Sequence, residues 1–124
     1  MDRLRLKRIY EAADAGDGYR ALVDRLWPRG VSKERAALDA WWKDLAPSPA
    51  LRTAWHHDTS RFDEFAALFR DELAAQPFVD DALAVIRAHD TVTLLFAAHD
   101  EHVNHAVVLR EVLEARLQSR GTTP

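Results

Sequence analysis

Apolar and polar positions follow several periods along this chain, and each change of period marks an element. Leu4, Leu6 and Ile9 lie among Arg3, Arg5, Lys7 and Arg8, a partly alternating pattern that predicts a strand over residues 3–10. Residues 11–18 are small, acidic and rich in glycine and alanine, and read as a loop. A second strand is expected over 19–24, where the run Ala21-Leu22-Val23 implies burial on both faces, as inside a parallel sheet. Trp27-Pro28-Arg29-Gly30-Val31 is a turn.

Helical spacing then takes over. Ser32 is placed to cap a helix starting at Lys33, and Ala36, Ala37, Leu38, Trp41 and Trp42 extend that pattern to about Leu45. Ser48-Pro49 opens a short helix to about Trp55, with serine as cap and proline at the first helical position, where no N–H is needed. His56-His57-Asp58-Thr59 interrupts it. From Ser60 onward Phe62, Phe65, Ala66, Phe69 and Leu73 recur at steps of three and four, an amphipathic helix with its charges mostly opposite. Pro77 restarts the chain as a helix with Val79, Ala82, Leu83 and Ile86 inward and Asp80 and Asp81 in the first turn, where the dipole favours them. Residues 91–98 form the strongest strand pattern, apolar enough to be central. His99–Asn104 is a second polar break, and a last helix runs to about Ser119, with a frayed tail after it.

The order strand, strand, helices, strand, helix predicts one domain over residues 1–124, of the α/β class. Its helices pack on a short, largely parallel sheet of about three strands, in two or three layers. Helices separate strand two from the last strand, so the two are expected to run parallel. If they are neighbours, their carboxyl ends bring the turns at 24–33 and 99–105 side by side, where α/β sheets build sites.

Composition narrows the chemistry. The chain has 124 residues, enough for a core without staples, and no cysteine, which removes disulfides and thiolate chemistry. Residues 1–7 lack the apolar run of a signal peptide and no stretch reaches the length of a membrane span, so a cytoplasmic protein with no membrane partner is expected. The formal charge of -3 gives no general attraction to nucleic acid. Residues 20–35, however, hold Arg20, Arg25, Arg29, Lys33 and Arg35 against Asp24 and Glu34. A basic island on an acidic chain favours a small anion over a long polyanion.

Three clusters carry candidate chemistry. Asp24, Arg25, Trp27, Arg29 and Lys33 surround the Trp-Pro turn. Arginine forks suit carboxylate or phosphate, but the same residues also fit an internal ion pair with Trp27 as core. His99-Asp100-Glu101-His102-Val103-Asn104-His105 contains two histidines one helical step apart. With a carboxylate they could bind a metal or relay protons, but zinc motifs show stricter spacing, and an N-cap at Asp100 or Asn104 with the histidines as polar surface is the favoured reading. His57-Asp58 is a base beside a carboxylate, or simply a loop with a capping aspartate. Neither metal nor cofactor is expected. Trp41 and Trp42, being adjacent, cannot both face a core from a helix, so one is expected on the surface or at an interface.

Leu22-Val-Asp-Arg-Leu-Trp-Pro-Arg-Gly-Val-Ser-Lys33, Leu38-Asp-Ala-Trp-Trp-Lys-Asp-Leu-Ala-Pro-Ser48, His57-Asp58, Leu94-Leu-Phe-Ala-Ala98 and Asn104-His-Ala-Val-Val-Leu109 together resemble the YeaO-like proteins, a bacterial family of uncharacterised function. The resemblance spans about residues 3–115 and implies a compact α/β fold with its motifs on the turns named above. It implies no reaction. It departs at His99, where the family usually has lysine, and at His56, where a glycine or aromatic is expected. The concentration of motif residues on the turns favours a site there, with Asp24, His57 and His105 as acid–base candidates. Arg25, Trp27, Arg29, Lys33, Asp58 and Asn104 are the ligand-binding candidates. The functions then open are an enzyme or binding protein for a small phosphate- or carboxylate-bearing molecule, a nucleic-acid-binding or regulatory module, and a homodimer or interaction module using the paired tryptophans.

Overall fold

The computed structural model describes residues 3–55 and 58–122, the last four by backbone alone. Four strands form one all-parallel sheet: β1 (Leu4–Arg8), β2 (Tyr19–Leu22), β3 (Ala40–Trp41) and β4 (Val92–Phe96), in the order β1-β4-β2-β3. The helices are α1 (Lys33–Ala36), α2 (Pro49–Trp55), α3 (Phe62–Ala74), α4 (Phe78–Ala88) and α5 (His105–Thr122). The last strand in sequence is inserted between the first two. Leu6 pairs with Leu94, and Ala21 pairs with the same Leu94 from the other side. All five residues of β4 are buried, which is why its sequence carries no alternation.

The strand pattern divides the interior into two parts. Val92, Leu94 and Phe96 face one side with Leu4 and Ala21, and there they meet Phe65, Phe69 and Leu73 of α3, Val79, Leu83 and Ile86 of α4, and Leu109 and Leu113 of α5. Leu95 and Leu22 face the other side, where a smaller cluster forms with Ile9, Val31 and Ala36. The first side is a full helical layer. The second has a thinner cover: α1, the segment between β1 and β2, and the 27–31 loop.

That thin cover is held by charge. Arg20 and Thr93 point into it from β2 and β4, and both are buried. Arg20 Nη1 donates to Asp17 Oδ2, and its Nε and Nη2 donate to the carbonyl of Ala36 at 3.1 and 2.7 Å, satisfying the open end of α1. Lys7 Nζ reaches both Asp17 oxygens at 3.1 Å, and Thr93 Oγ1 donates to the Asp17 carbonyl at 2.7 Å. Burial raises the Asp17 carboxyl. The bonds from Lys7, the Asp14 backbone contact and Arg20 outweigh it, so the group sits below the ordinary aspartate range. The next residue, Gly18, has φ +64°, and a Cβ there would stand 2.3 Å from the Thr91 carbonyl oxygen. Only glycine closes this approach.

The expected helix over 33–45 is corrected. Its Ser32 cap forms, Oγ accepting from Arg35 N at 3.1 Å, but α1 ends at Ala36 and Ala37 takes the left-handed conformation at φ 48°. The edge of β2 captures the chain beyond Leu38. Asp39 N donates to Arg20 O at 2.8 Å, Asp39 Oδ2 accepts from Arg20 N at 2.8 Å, and Trp42 N donates to Leu22 O at 2.7 Å. Residues 40–41 therefore become a fourth strand. Alternation along the strand exposes Trp41 to 37% and buries Trp42 at 4%.

Candidate functional site

All four strands end on one side of the molecule, and a cavity of about 280 Å³ opens there. Five chain segments converge on it among the described residues. Asp24, Arg25 and Leu26 come from the turn after β2, and Ala97 and Ala98 follow β4. His105 is the first residue of α5. Ala46 and Pro47, with Arg52 and Trp55 of α2 and Phe65 of α3, close the remaining side. The turns at 24–33 and 99–105 thus meet in space through Asp24 and His105.

The geometry of that meeting follows from local bonds. Asn104 is fully buried. Its Oδ1 accepts from Val107 N at 3.0 Å and its Nδ2 donates to Asp100 O at 2.7 Å, so it caps α5 and anchors the preceding turn. Asp100 Oδ1 accepts from the backbone N–H groups of His102 and Val103, and those two bonds hold its carboxyl below the usual range. With the turn held at both ends, His105 is directed inward. Its Nε2 lies 3.0 Å from Val23 O and 3.1 Å from Asp24 Oδ1. A carbonyl only accepts, so Nε2 carries the hydrogen. Asp24 Oδ2 accepts from Ala97 N at 3.0 Å, which ties the ends of β2 and β4 together. Its buried Oδ1 has no hydrogen bond among the described residues and keeps only the ion-pair contact with His105, whose imidazole N–H is aimed at Val23 O.

Arg25 is half committed. Its Nε donates to Pro47 O and its Nη2 to Ala46 O, both at 3.3 Å, while Nη1 has no partner among the described residues. Arg52 stands at the exposed rim with no side-chain bond or ion pair among the described residues. Trp55 and Phe65 stack at 4.1 Å with 17° between their planes and form an apolar wall.

The other sequence candidates lie apart from the cavity. Trp27 donates from Nε1 to Val31 O at 2.6 Å and packs edge-on against Trp41 at 5.4 Å. Trp41 in turn donates to Asp24 O at 2.7 Å, so the two indoles brace the 24–31 loop without lining the cavity. Arg29 and Lys33 are exposed, and neither borders the opening. Asp58 caps the turn before α3, accepting from Ser60 Oγ at 2.6 Å and Ser60 N at 3.1 Å, which keeps its carboxyl below the ordinary range. His57 lies outside the described residues. Arg52, Trp55 and Phe65 were not marked by the sequence as site residues, since α2 and α3 read only as core helices. Among the described residues, no three His, Asp or Glu side chains converge as a metal ion would need, and no helix is long and apolar enough to cross a membrane.

The fold and cavity define a small α/β domain with a ligand-sized hollow at the carboxyl ends of a parallel sheet. A family model described as "Inactive DUF488-N3 subclade" matches residues 3–123, and the chain belongs to that YeaO-like family of uncharacterised proteins. It is 41% identical over 112 residues to the uncharacterised protein YeaO of Escherichia coli, covering 90% of this chain and 97% of that one. It is 40% identical over 114 residues to the uncharacterised protein Rv3073c of Mycobacterium tuberculosis, covering 92% and 96% respectively. No solved structure matches.

Proposed function

We propose that this protein binds a small anionic molecule in the cavity at the sheet's carboxyl edge and does so without catalysing a reaction on it. One observation carries the reading: Arg25 and Arg52 both line the same apolar-walled hollow. A cation with unused donors beside a low-dielectric wall is what a carboxylate or phosphate oxygen requires. Arg25 supplies it at low entropic cost, because the Ala46 and Pro47 carbonyls already fix half of its fork.

Two points favour binding over turnover. The family description carries the word "inactive". In addition, the His105 Nε2 hydrogen is spent on the Val23 carbonyl and one Asp24 oxygen on Ala97 N, so both groups are engaged in joining strand ends. The basic island does not extend to nucleic acid on this reading, since Arg20 is buried in an ion pair and the whole chain carries -3.

The test is thermal denaturation of the full chain against a panel of small carboxylates and phosphates. A ligand at a hundredfold excess over its Kd stabilises by about 2.7 kcal/mol, on the order of 10 °C in Tm for a chain of this size. Arg52→Gln should abolish the shift while leaving the unliganded Tm in place. Failure of every anion to move the Tm of the unaltered protein would remove the proposal.

A further inference from the structure

We infer that the ligand is a monocarboxylate carrying an apolar body about the size of a phenyl ring, rather than a phosphate ester or a nucleotide. This rests on the anion-binding reading above and narrows it. Size sets the first limit. Apolar cavities of about 150 Å³ accept benzene, whereas sites for drug-sized ligands run from about 300 Å³ upward. At about 280 Å³, this hollow has room for one ring, a short linker and a charged group, and too little for a base, a sugar and a phosphate together.

The wall sets the second limit. Trp55, Phe65 and Pro47, with Ala46, Ala97 and Ala98, supply the apolar part of the lining, and their side chains cannot satisfy the extra hydroxyls and ring nitrogens of a nucleotide. An apolar body on the ligand meets them without leaving polar groups unpaired.

Charge sets the third. Among the described residues, and with His105 counted as neutral, the two guanidiniums and the Asp24 carboxylate sum to one positive formal charge around the opening. A monocarboxylate neutralises it. A phosphate ester carries about -1.5 to -2 near neutral pH, which would leave surplus negative charge against Asp24, whose buried Oδ1 makes no hydrogen bond among the described residues. The ligand's oxygens are therefore placed at Arg25 Nη1 and at Arg52, on the rim, and its apolar end runs inward toward Trp55 and Phe65.

The experiment titrates the full chain by calorimetry with phenylacetate, with inorganic phosphate and with the uncharged analogue 2-phenylethanol. Intrinsic tryptophan emission reports occupancy beside Trp55. Phenylacetate is expected to bind at least tenfold more tightly than either of the others. Arg52→Gln should weaken it tenfold or more and leave 2-phenylethanol unchanged. Leu26→Asp, at a position 60% exposed and so harmless to folding, places a negative charge at the mouth and should weaken phenylacetate more than 2-phenylethanol. Tighter binding of phosphate than of phenylacetate would overturn this inference and leave anion binding standing. Equal binding of phenylacetate and 2-phenylethanol would overturn the inference, since charge would then contribute nothing to it, and the wider panel decides the anion reading separately. Binding of none of the three overturns the inference, and the wider carboxylate and phosphate panel then decides the anion reading separately.

Discussion

Two clusters of arginine and aspartate lie within a few residues of each other along β2, and they do opposite things. At Asp17 and Arg20 every donor and acceptor is met. The pair is buried, Lys7 completes it, and the end of α1 takes the rest of the guanidinium. At Asp24 and Arg25 the pairing is incomplete. Among the described residues, one carboxylate oxygen has no hydrogen bond, only its contact with His105, one guanidinium nitrogen lacks an acceptor, and a cavity lies beside both. The first cluster closes the thin face of the sheet, and the second leaves a place for something else. Residue type did not separate them. The separation comes from whether the fold delivers partners to each group.

The sharpest way to break that contrast is Asp17→Asn. Removing one member of a buried ion pair costs about 3–5 kcal/mol, since the remaining cations stay buried. Urea denaturation should show a loss of that order, and a loss below about 1 kcal/mol would mean the cluster is not structural. Asp24→Ala should cost less, about 1–3 kcal/mol, by leaving Ala97 N–H without its acceptor at the junction of β2 and β4.

Acid separates the clusters further. The Asp17 carboxyl is lowered in the folded chain relative to the unfolded value of about 4, so its contribution is full above that value and is lost as pH falls through the depressed one. The stability gap between the unaltered chain and Asp17→Asn should therefore be constant at pH 6–7 and shrink when measured near pH 3. A gap that widened on acidification would contradict the sign of the shift. Smallest of all is Arg52→Gln. Its effect on unfolding should stay within about 0.5 kcal/mol, as for other exposed positions, while the proposed anion binding should be lost.

The long patterns were legible because each is decided by many residues at once. The amphipathic stripe of α3, the inner stripe of α4 and the unbroken apolar run of β4 all survive folding. The parallel pairing of β2 with β4 followed from the helices between them. β3 was not legible. It is two residues long, and Ala36, Leu38, Trp41 and Trp42 satisfy helical spacing equally well until the edge of β2 claims the backbone. Of the site, Asp24, Arg25 and His105 were legible as turn residues after strands. The contribution of Arg52 and Phe65 was not, because which helix leans over a cavity depends on packing between distant segments. Asn104 carries the same ambiguity in another form, since a capping asparagine and a ligand-orienting one are the same residue in sequence.

The strand order also bears on how the molecule is made. β1 and β2 share no bonds with each other, and both wait for β4, which begins 84 residues after β1 ends at Arg8 and is the last strand to leave the ribosome. Until then each offers an open parallel edge beside apolar side chains, a template for joining other chains. Folding should be slow for a protein of this length, and a nascent chain stalled before Val92 should aggregate or recruit a chaperone.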